Sequence, residues 1–205
     1  MPKLLLVRHG ITKYNSERRF LGYSDIDLSD LGRRQVELLR DYLVDVQIDA
    51  VYSSDLKRTM TTARVVTEGR DLDIVECPEL REMSYGLCEG MTFGEINSNY
   101  PDVAAKCVAF NTDVEFPGGE SFEGFISRTN IFLDRLKDCN QSDTVLVTSH
   151  SGAVKALICH LIGMDMKHWW QLSLDNASLS IVTISTHGTI LNRLNDVSHL
   201  KTLKE

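Results

Sequence analysis

Apolar and polar positions along the chain alternate between two periods. Leu4, Leu5, Leu6 and Val7 form an unbroken apolar run, the pattern of a strand covered on both faces, as in a parallel sheet. The run stops at Arg8, His9 and Gly10, and a polar loop over 16–27 follows. Ser29 then caps a predicted helix with Val36, Leu39, Leu43 and Val46 at helical spacing. Residues 49–53 read as the next strand. Ser54 is placed to cap a second helix through Leu56, Met60, Ala63 and Val66 that stops at Gly69. A short strand is predicted over 74–77. Strand, helix, strand, helix implies a parallel sheet.

The periodicity loosens between 83 and 120. This stretch holds Gly86, Gly90, Gly94, Pro101, Pro117, Gly118 and Gly119, with short helical pieces around 93–99 and 103–110. A long irregular excursion of this kind is commonly functional, and it is read as a lid inserted over the sheet. Phe122, Phe125, Ile126, Phe132, Leu133 and Leu136 restore a helix face. Residues 144–149 form another apolar strand before His150, Ser151 and Gly152, and a helix runs through Ala156, Leu157 and Leu161 to Gly163. A short helix over 167–172 carries Trp169 and Trp170. Alternation at Leu179, Ile181, Val182 and Ile184, then a His187-Gly188 turn before Ile190, Leu191 and Leu194, reads as an edge hairpin. The expected fold is α/β, a three-layer α/β/α sandwich with a mostly parallel central sheet and a C-terminal edge hairpin. It is expected to be one domain over 1–205, with 83–120 as the lid.

Two strands thus end in a histidine and a glycine. In open α/β sheets the ligand crevice lies outside the carboxyl ends of the strands, so His9 and His150 would face one pocket. Alone, Arg8-His9-Gly10 would be an ordinary strand surfacing in a polar loop; the second histidine in the same setting changes that. Arg58 falls in the first turn of the second helix, where a cation opposes the helix dipole and an anion is favoured. Arg8, His9, Arg58 and His150 together make an anion cage, with arginine's planar fork suited to phosphate and a nearby dianion favouring a charged His150. One histidine must stay neutral to attack. His9 is the better candidate, because Gly10 and its loop can offer a backbone carbonyl to one ring nitrogen. Glu82, where the sheet hands over to the lid, is the candidate to protonate a departing oxygen.

Composition narrows the partners. The 205-residue chain is 42% hydrophobic and 25% charged, with a net charge of −7, which argues against a phosphate-backbone surface for nucleic acid. Its five cysteines are widely spaced and without a Cys-x-x-Cys pair, indicating neither a disulfide framework nor a zinc knuckle but reduced thiols in a cytoplasmic protein. No apolar run approaches the length of a membrane span. The expected partner is a small phosphomonoester, with no nucleic acid and no membrane; a homodimer is compatible with the chain.

The opening Leu6-Val7-Arg8-His9-Gly10 with Thr12 and Asn15 resembles the histidine phosphatase superfamily, the phosphoglycerate mutase-like fold. Further matches are Asp27-Leu28-Ser29-Asp30-Leu31-Gly32, Ser53 to Arg58 with Thr62 and Ala63, and Leu80-Arg81-Glu82 with Gly86, Glu89 and Gly90. Pro117-Gly118-Gly119-Glu120-Ser121 and Ser149-His150 complete the set. The resemblance implies that His9 becomes a phosphohistidine and that Glu82 acts as acid and then base. Arg8, Arg58 and His150 would hold the phosphoryl oxygens with Asn15, and Thr12, Gly22 and Ser151 are further phosphate-binding candidates. It implies no metal and no cofactor. Ile11, Cys88 and Ser151 depart mildly from the family pattern.

Cofactor-dependent mutases of this family resemble longer chains with adjacent lid arginines, whereas between Glu82 and Arg128 this chain has one cation, Lys106. It has seven carboxylates there: Glu89, Glu95, Asp102, Asp113, Glu115, Glu120 and Glu123. A phosphatase is therefore expected, acting on a monoester with a neutral or apolar organic part against Met83, Tyr85, Met91 and Phe93. The short lid and the His199-Leu200 ending resemble α-ribazole phosphatase of cobalamin assembly or a broad-specificity relative; a phosphoglycerate mutase is the alternative. A zinc hydrolase is disfavoured because no His-x-x-x-His or carboxylate pair accompanies the histidines. A non-catalytic phosphate-binding module predicts a lost catalytic position, and none is lost. His160, His168, His187 and His199 read as structural or surface residues. The assigned roles predict a bell-shaped pH profile, falling in acid as His9 protonates and in base as Glu82 loses its proton.

Overall fold

The computed structural model describes residues 2–109, 112–140 and 142–203. Six strands form one sheet: β1 (Lys3–Arg8), β2 (Ala50–Ser53), β3 (Ile74–Glu76), β4 (Thr144–Ser149), β5 (Leu179–Ser185) and β6 (Gly188–Asp196), in the order β3-β2-β4-β1-β5-β6. The first four are parallel neighbours, and β5 runs antiparallel to both β1 and β6, closing the edge as a hairpin.

Alternation along β1 explains why its apolar run is continuous. Leu4 and Leu6 pack with Val145, Val147, Phe132 and Leu157 on one face, whereas Leu5 and Val7 pack with Leu39, Leu43, Ala63 and Val66 on the other. Helices therefore cover both faces. α2 (Asp30–Tyr42) and α3 (Lys57–Val66) lie on one side; α6 (Phe122–Arg135) and α7 (Ser151–Ile162) lie on the other. Burying each large aliphatic side chain in these layers contributes about 1.5–3 kcal/mol.

Residues 83–120 include α4 (Phe93–Asn99) and α5 (Pro101–Val108) and form an apolar group of their own. Met83, Cys88, Ile96, Val103, Val114 and Phe116 pack against Phe122 and Phe125 of α6 and Ala153 and Ala156 of α7. Thr92 and Glu95 form a capping box at the start of α4. The predicted helix end at Phe110 lies outside the described residues.

Two local expectations are corrected. Residues 13–16, where the sequence predicts no element and of which only Ser16 falls in the 16–27 loop, form a short helix, α1 (Lys13–Ser16), because Thr12 and Asn15 make a capping box of their own. Ser54 does not cap α3: its N-cap is Leu56, with no side-chain hydrogen bond, and the Ser54 hydroxyl turns to His150 instead, 2.9 Å from Nε2. Gly10 serves a close approach within the fold: a Cβ there would lie 2.6 Å from the Gly32 carbonyl oxygen of α2.

Candidate active site

Four parallel strands ending at one edge deliver the polar groups. The pairing of Arg8 with Ser149 continues past the strands as the His9 amide bonds the Ser149 carbonyl, and the Ser54 amide bonds that of Thr148. His9 and His150 meet there with ring centroids 5.2 Å apart, edge to face, and both are buried.

His9 Nδ1 lies 2.8 Å from the Gly10 carbonyl. A carbonyl only accepts, so Nδ1 carries the hydrogen and the lone pair is on Nε2. The His9 carbonyl accepts from the amide of Ala177 and from Asn176 Nδ2. Burial, followed by the charges of Arg58 and Arg8, holds the His9 pKa well below the usual histidine value, against the opposing Gly10 bond. The residue is a neutral base at neutral pH.

Arg58 is fully buried although it sits at the start of a helix. It donates from Nη1 to the Ser24 carbonyl, from Nη2 to the Gly22 carbonyl and from Nε to His150 Nδ1 at 3.2 Å. Burial lowers its pKa to about 10, with Glu82, Glu89 and Asp25 opposing, so it stays charged at neutral pH. Arg8 is half-buried and donates to the Leu174 carbonyl at 2.5 Å; its buried Nε has no partner.

His150 is held as a neutral ring. Its Nδ1 accepts from Arg58, so its hydrogen is on Nε2, facing the Ser54 hydroxyl. Burial, Arg58 and His9 push its pKa well below the usual value. Burial and the surrounding cations favour the neutral ring, and the charged form expected from sequence is the one that a dianion beside it would favour.

Glu82 is buried, and each carboxyl oxygen accepts a backbone N–H: Met83 at 3.0 Å, and Gly152, in the first turn of α7, at 2.9 Å. A Cβ on Gly152 would stand 2.2 Å from Glu82 Oε1, so only glycine admits this approach. Arg128 holds the segment behind it, donating to the carbonyls of Glu79, Arg81 and Glu82 and forking onto Glu120.

The remaining predicted contacts divide. Asn15 is half-buried, and its Oδ1 accepts from the Thr12 amide and hydroxyl and from Asn176, which leaves the Nδ2 group as its donor toward a ligand. Thr12 is buried with its hydroxyl bonded in that cap, where it positions Asn15. Gly22 likewise has both backbone groups engaged, its N–H on Glu89 and its carbonyl on Arg58. Half-buried Ser151 opens α7 beside His150.

Sequence reasoning missed Ser54, Glu89, Arg128 and Asn176. Glu89 had been counted among charges that repel an anion. Its carboxylate instead accepts from the amides of Gly22, Tyr23, Ser24 and Tyr85 and the Ser24 hydroxyl, fixing the loop that holds Arg58. Phe20, Met83, Tyr85, Val114, Phe116 and Trp169 line an apolar hollow of about 160 Å³ next to Glu82's neighbour Met83. Met91 packs against this group, whereas Phe93 is largely exposed.

Comparison with known proteins gives the family. Residues 4–197 match the histidine phosphatase superfamily (branch 1). The chain belongs to that superfamily and is a phosphatase, a phosphoric monoester hydrolase. It is 34% identical over 200 residues to phosphoserine phosphatase 1 of Hydrogenobacter thermophilus, covering 98% of this chain and 95% of that one. The α-ribazole phosphatase of Shigella flexneri superposes with a TM-score of 0.89 at 30% identity, over 95% and 96% of the two chains. A phosphoserine phosphatase mutant from Entamoeba histolytica, solved with phosphoserine, superposes with a TM-score of 0.83 at 26% identity, over 98% and 100%. Among the described residues no helix is long and apolar enough to cross a membrane.

Proposed function

We propose that this chain hydrolyses a small organic phosphomonoester, without a metal, through a phosphohistidine on His9. The observation that carries the reading is the fixed tautomer of a neutral, buried His9, tied by Nδ1 to Gly10 and flanked by Arg8, Arg58 and His150. The Nε2 lone pair attacks phosphorus, and an N–P bond forms as the bond from phosphorus to the ester oxygen breaks. Glu82 gives that oxygen its proton. The Glu82 carboxylate then takes a proton from water as the water oxygen attacks phosphorus and the N–P bond breaks, returning neutral His9 and releasing phosphate. Arg8, Arg58 and the Asn15 amide hold the phosphoryl oxygens, and a bound dianion draws a proton onto His150. Thr12, Gly22 and Glu89 keep those groups in place, and residues 83–120 cover the site as a lid.

α-Ribazole 5′-phosphate, the substrate preferred from sequence, is supported by the apolar lining of the hollow. Its small size, below the roughly 300–1,000 Å³ of ordinary ligand pockets, favours a second reading in which the organic part has few atoms, as in phosphoserine. The test is a panel of phosphomonoesters in EDTA with wild type and His9→Ala, followed by acid and base quenching of enzyme labelled with radioactive phosphate. The expected result is phosphate release and an acid-labile, base-stable label, both lost in His9→Ala. Turnover persisting in the variant overturns the mechanism, and isomerisation of 3-phosphoglycerate without net phosphate release makes the chain a mutase.

A further inference from the structure

Lys155 is a charged group in the wall of the site that the reaction above does not use. It lies on α7 three residues beyond Gly152, whose amide holds Glu82, so the two positions share a helix face. Long helical side chains lean toward the N-terminus of their helix, here toward His150 and Glu82. Burial lowers the lysine's pKa, while the charge of Glu82 opposes that shift and Arg8 adds to it. On the other side its Nζ stands 5.4 Å from the centre of the Trp169 ring, and Trp169 lines the apolar hollow. Lys155 is half-buried, and among the described residues no carboxylate or carbonyl pairs with its ammonium.

A half-buried ammonium with three donors and no acceptor carries a desolvation cost that a ring face offsets only in part. Its position spans the step from the reacting groups, Arg8 and Glu82, to the hollow. An ester whose phosphorus is at His9 and whose organic part enters the hollow passes this ammonium. We infer that Lys155 receives a carboxylate on that organic part, so that the site selects O-phosphorylated hydroxy acids or amino acids. A single ammonium is a point charge suited to one carboxylate; a second phosphate calls for an arginine fork. The neighbouring forks are already engaged, Arg128 by Glu120 and Arg81 by Asp55. Within the acidic excursion Glu95, Asp113 and Glu120 are paired with Arg19, Lys106 and Arg128, which lessens its opposition to a carboxylate.

This inference rests on the phosphomonoesterase reading, and the test separates the two. O-Phosphoserine and O-phosphoethanolamine differ by the carboxylate alone. The wild type is expected to favour phosphoserine in kcat/KM, and Lys155→Met to reduce that preference by about tenfold to a hundredfold, chiefly through KM, as for loss of a charge-assisted hydrogen bond. Lys155→Arg keeps most of the preference. A wild type indifferent to the carboxylate, or a Lys155→Met variant that loses equally on both esters, overturns the role of Lys155 while leaving the phosphatase reading intact. A wild type inactive on every phosphomonoester overturns that reading itself. The wild-type comparison stands even if the methionine variant does not fold.

Discussion

The sheet side of the site and the 83–120 side hold their groups by different means. On the sheet side the polar side chains are held by directed hydrogen bonds: Arg58 by two loop carbonyls and a histidine, His9 by Gly10, and Glu82 by two amides. On the other side Phe20, Met83, Tyr85, Phe116 and Trp169 pack by shape and leave a hollow. The phosphoryl group is common to every substrate of such an enzyme and calls for fixed donors. The organic part varies, and apolar walls accommodate variation with small energetic consequences.

Removing a fixed donor should therefore have the largest effect. Arg58→Met leaves the Gly22 and Ser24 carbonyls and His150 Nδ1 without their donor in a buried site. The expected outcome is a fall in kcat/KM of about a thousandfold and a loss of about 3–5 kcal/mol in denaturant unfolding. Phe116→Ala, on the opposite wall, is expected to change KM by less than about tenfold and kcat little. Comparable losses of kcat in the two variants would break the distinction between the walls.

Gly152→Ala sharpens it at a single atom. The added Cβ falls 2.2 Å from Glu82 Oε1, so either the carboxyl or the start of α7 must move. Displacing a catalytic group by about 1 Å costs on the order of a hundredfold in rate. The loss is expected in kcat, with KM nearly unchanged, by steady-state kinetics; wild-type kcat would show that Glu82 is not held where the chemistry needs it.

These contrasts also explain what could be read in the sequence. The strand ends were legible because an apolar run that stops at Arg8-His9 or Ser149-His150 has a local signature, and parallel pairing brings such ends together. Arg58 was legible because its charge opposes the dipole of its own helix. Glu89, Arg128, Ser54 and Lys155 were not, since an acid in an irregular stretch, a cation on an amphipathic helix or a serine after a strand has the same local pattern whether solvated or bonded across the fold. Thr12 and Gly22 were recognised as site residues, but their partners within the fold, Asn15, Glu89 and Arg58, are known only once the loops are placed.

Charge gives a pH test of the sheet side. Burial and Arg58 depress the His9 and His150 pKa values well below 6.5 in the folded state. Between those depressed values and about 6.5 the unfolded chain binds more protons than the folded one, so stability rises with pH in this window and levels off above it. Thermal melting is expected to shift to lower temperature as pH drops below 6.5, and His150→Gln to flatten part of that decline. The acid limb of kcat/KM should likewise lie below pH 6.5. A limb centred at or above 6.5 would mean that the site does not suppress His9 protonation.

Ser54→Ala should have the smallest effect. The Ser54 hydroxyl meets His150 Nε2 at 2.9 Å and is buried with it, but Arg58 still fixes the other ring nitrogen. One neutral hydrogen bond contributes about 1 kcal/mol, so a roughly fivefold fall in kcat/KM is expected. An imidazolium donates more strongly than the neutral ring, so removing the Ser54 acceptor disfavours protonation of His150 further, and the acid limb should not move upward. If this substitution instead matches Arg58→Met, then the proton on His150 Nε2 takes part in the reaction. His150 would then be a participant in proton transfer, beyond its place in the phosphate cage.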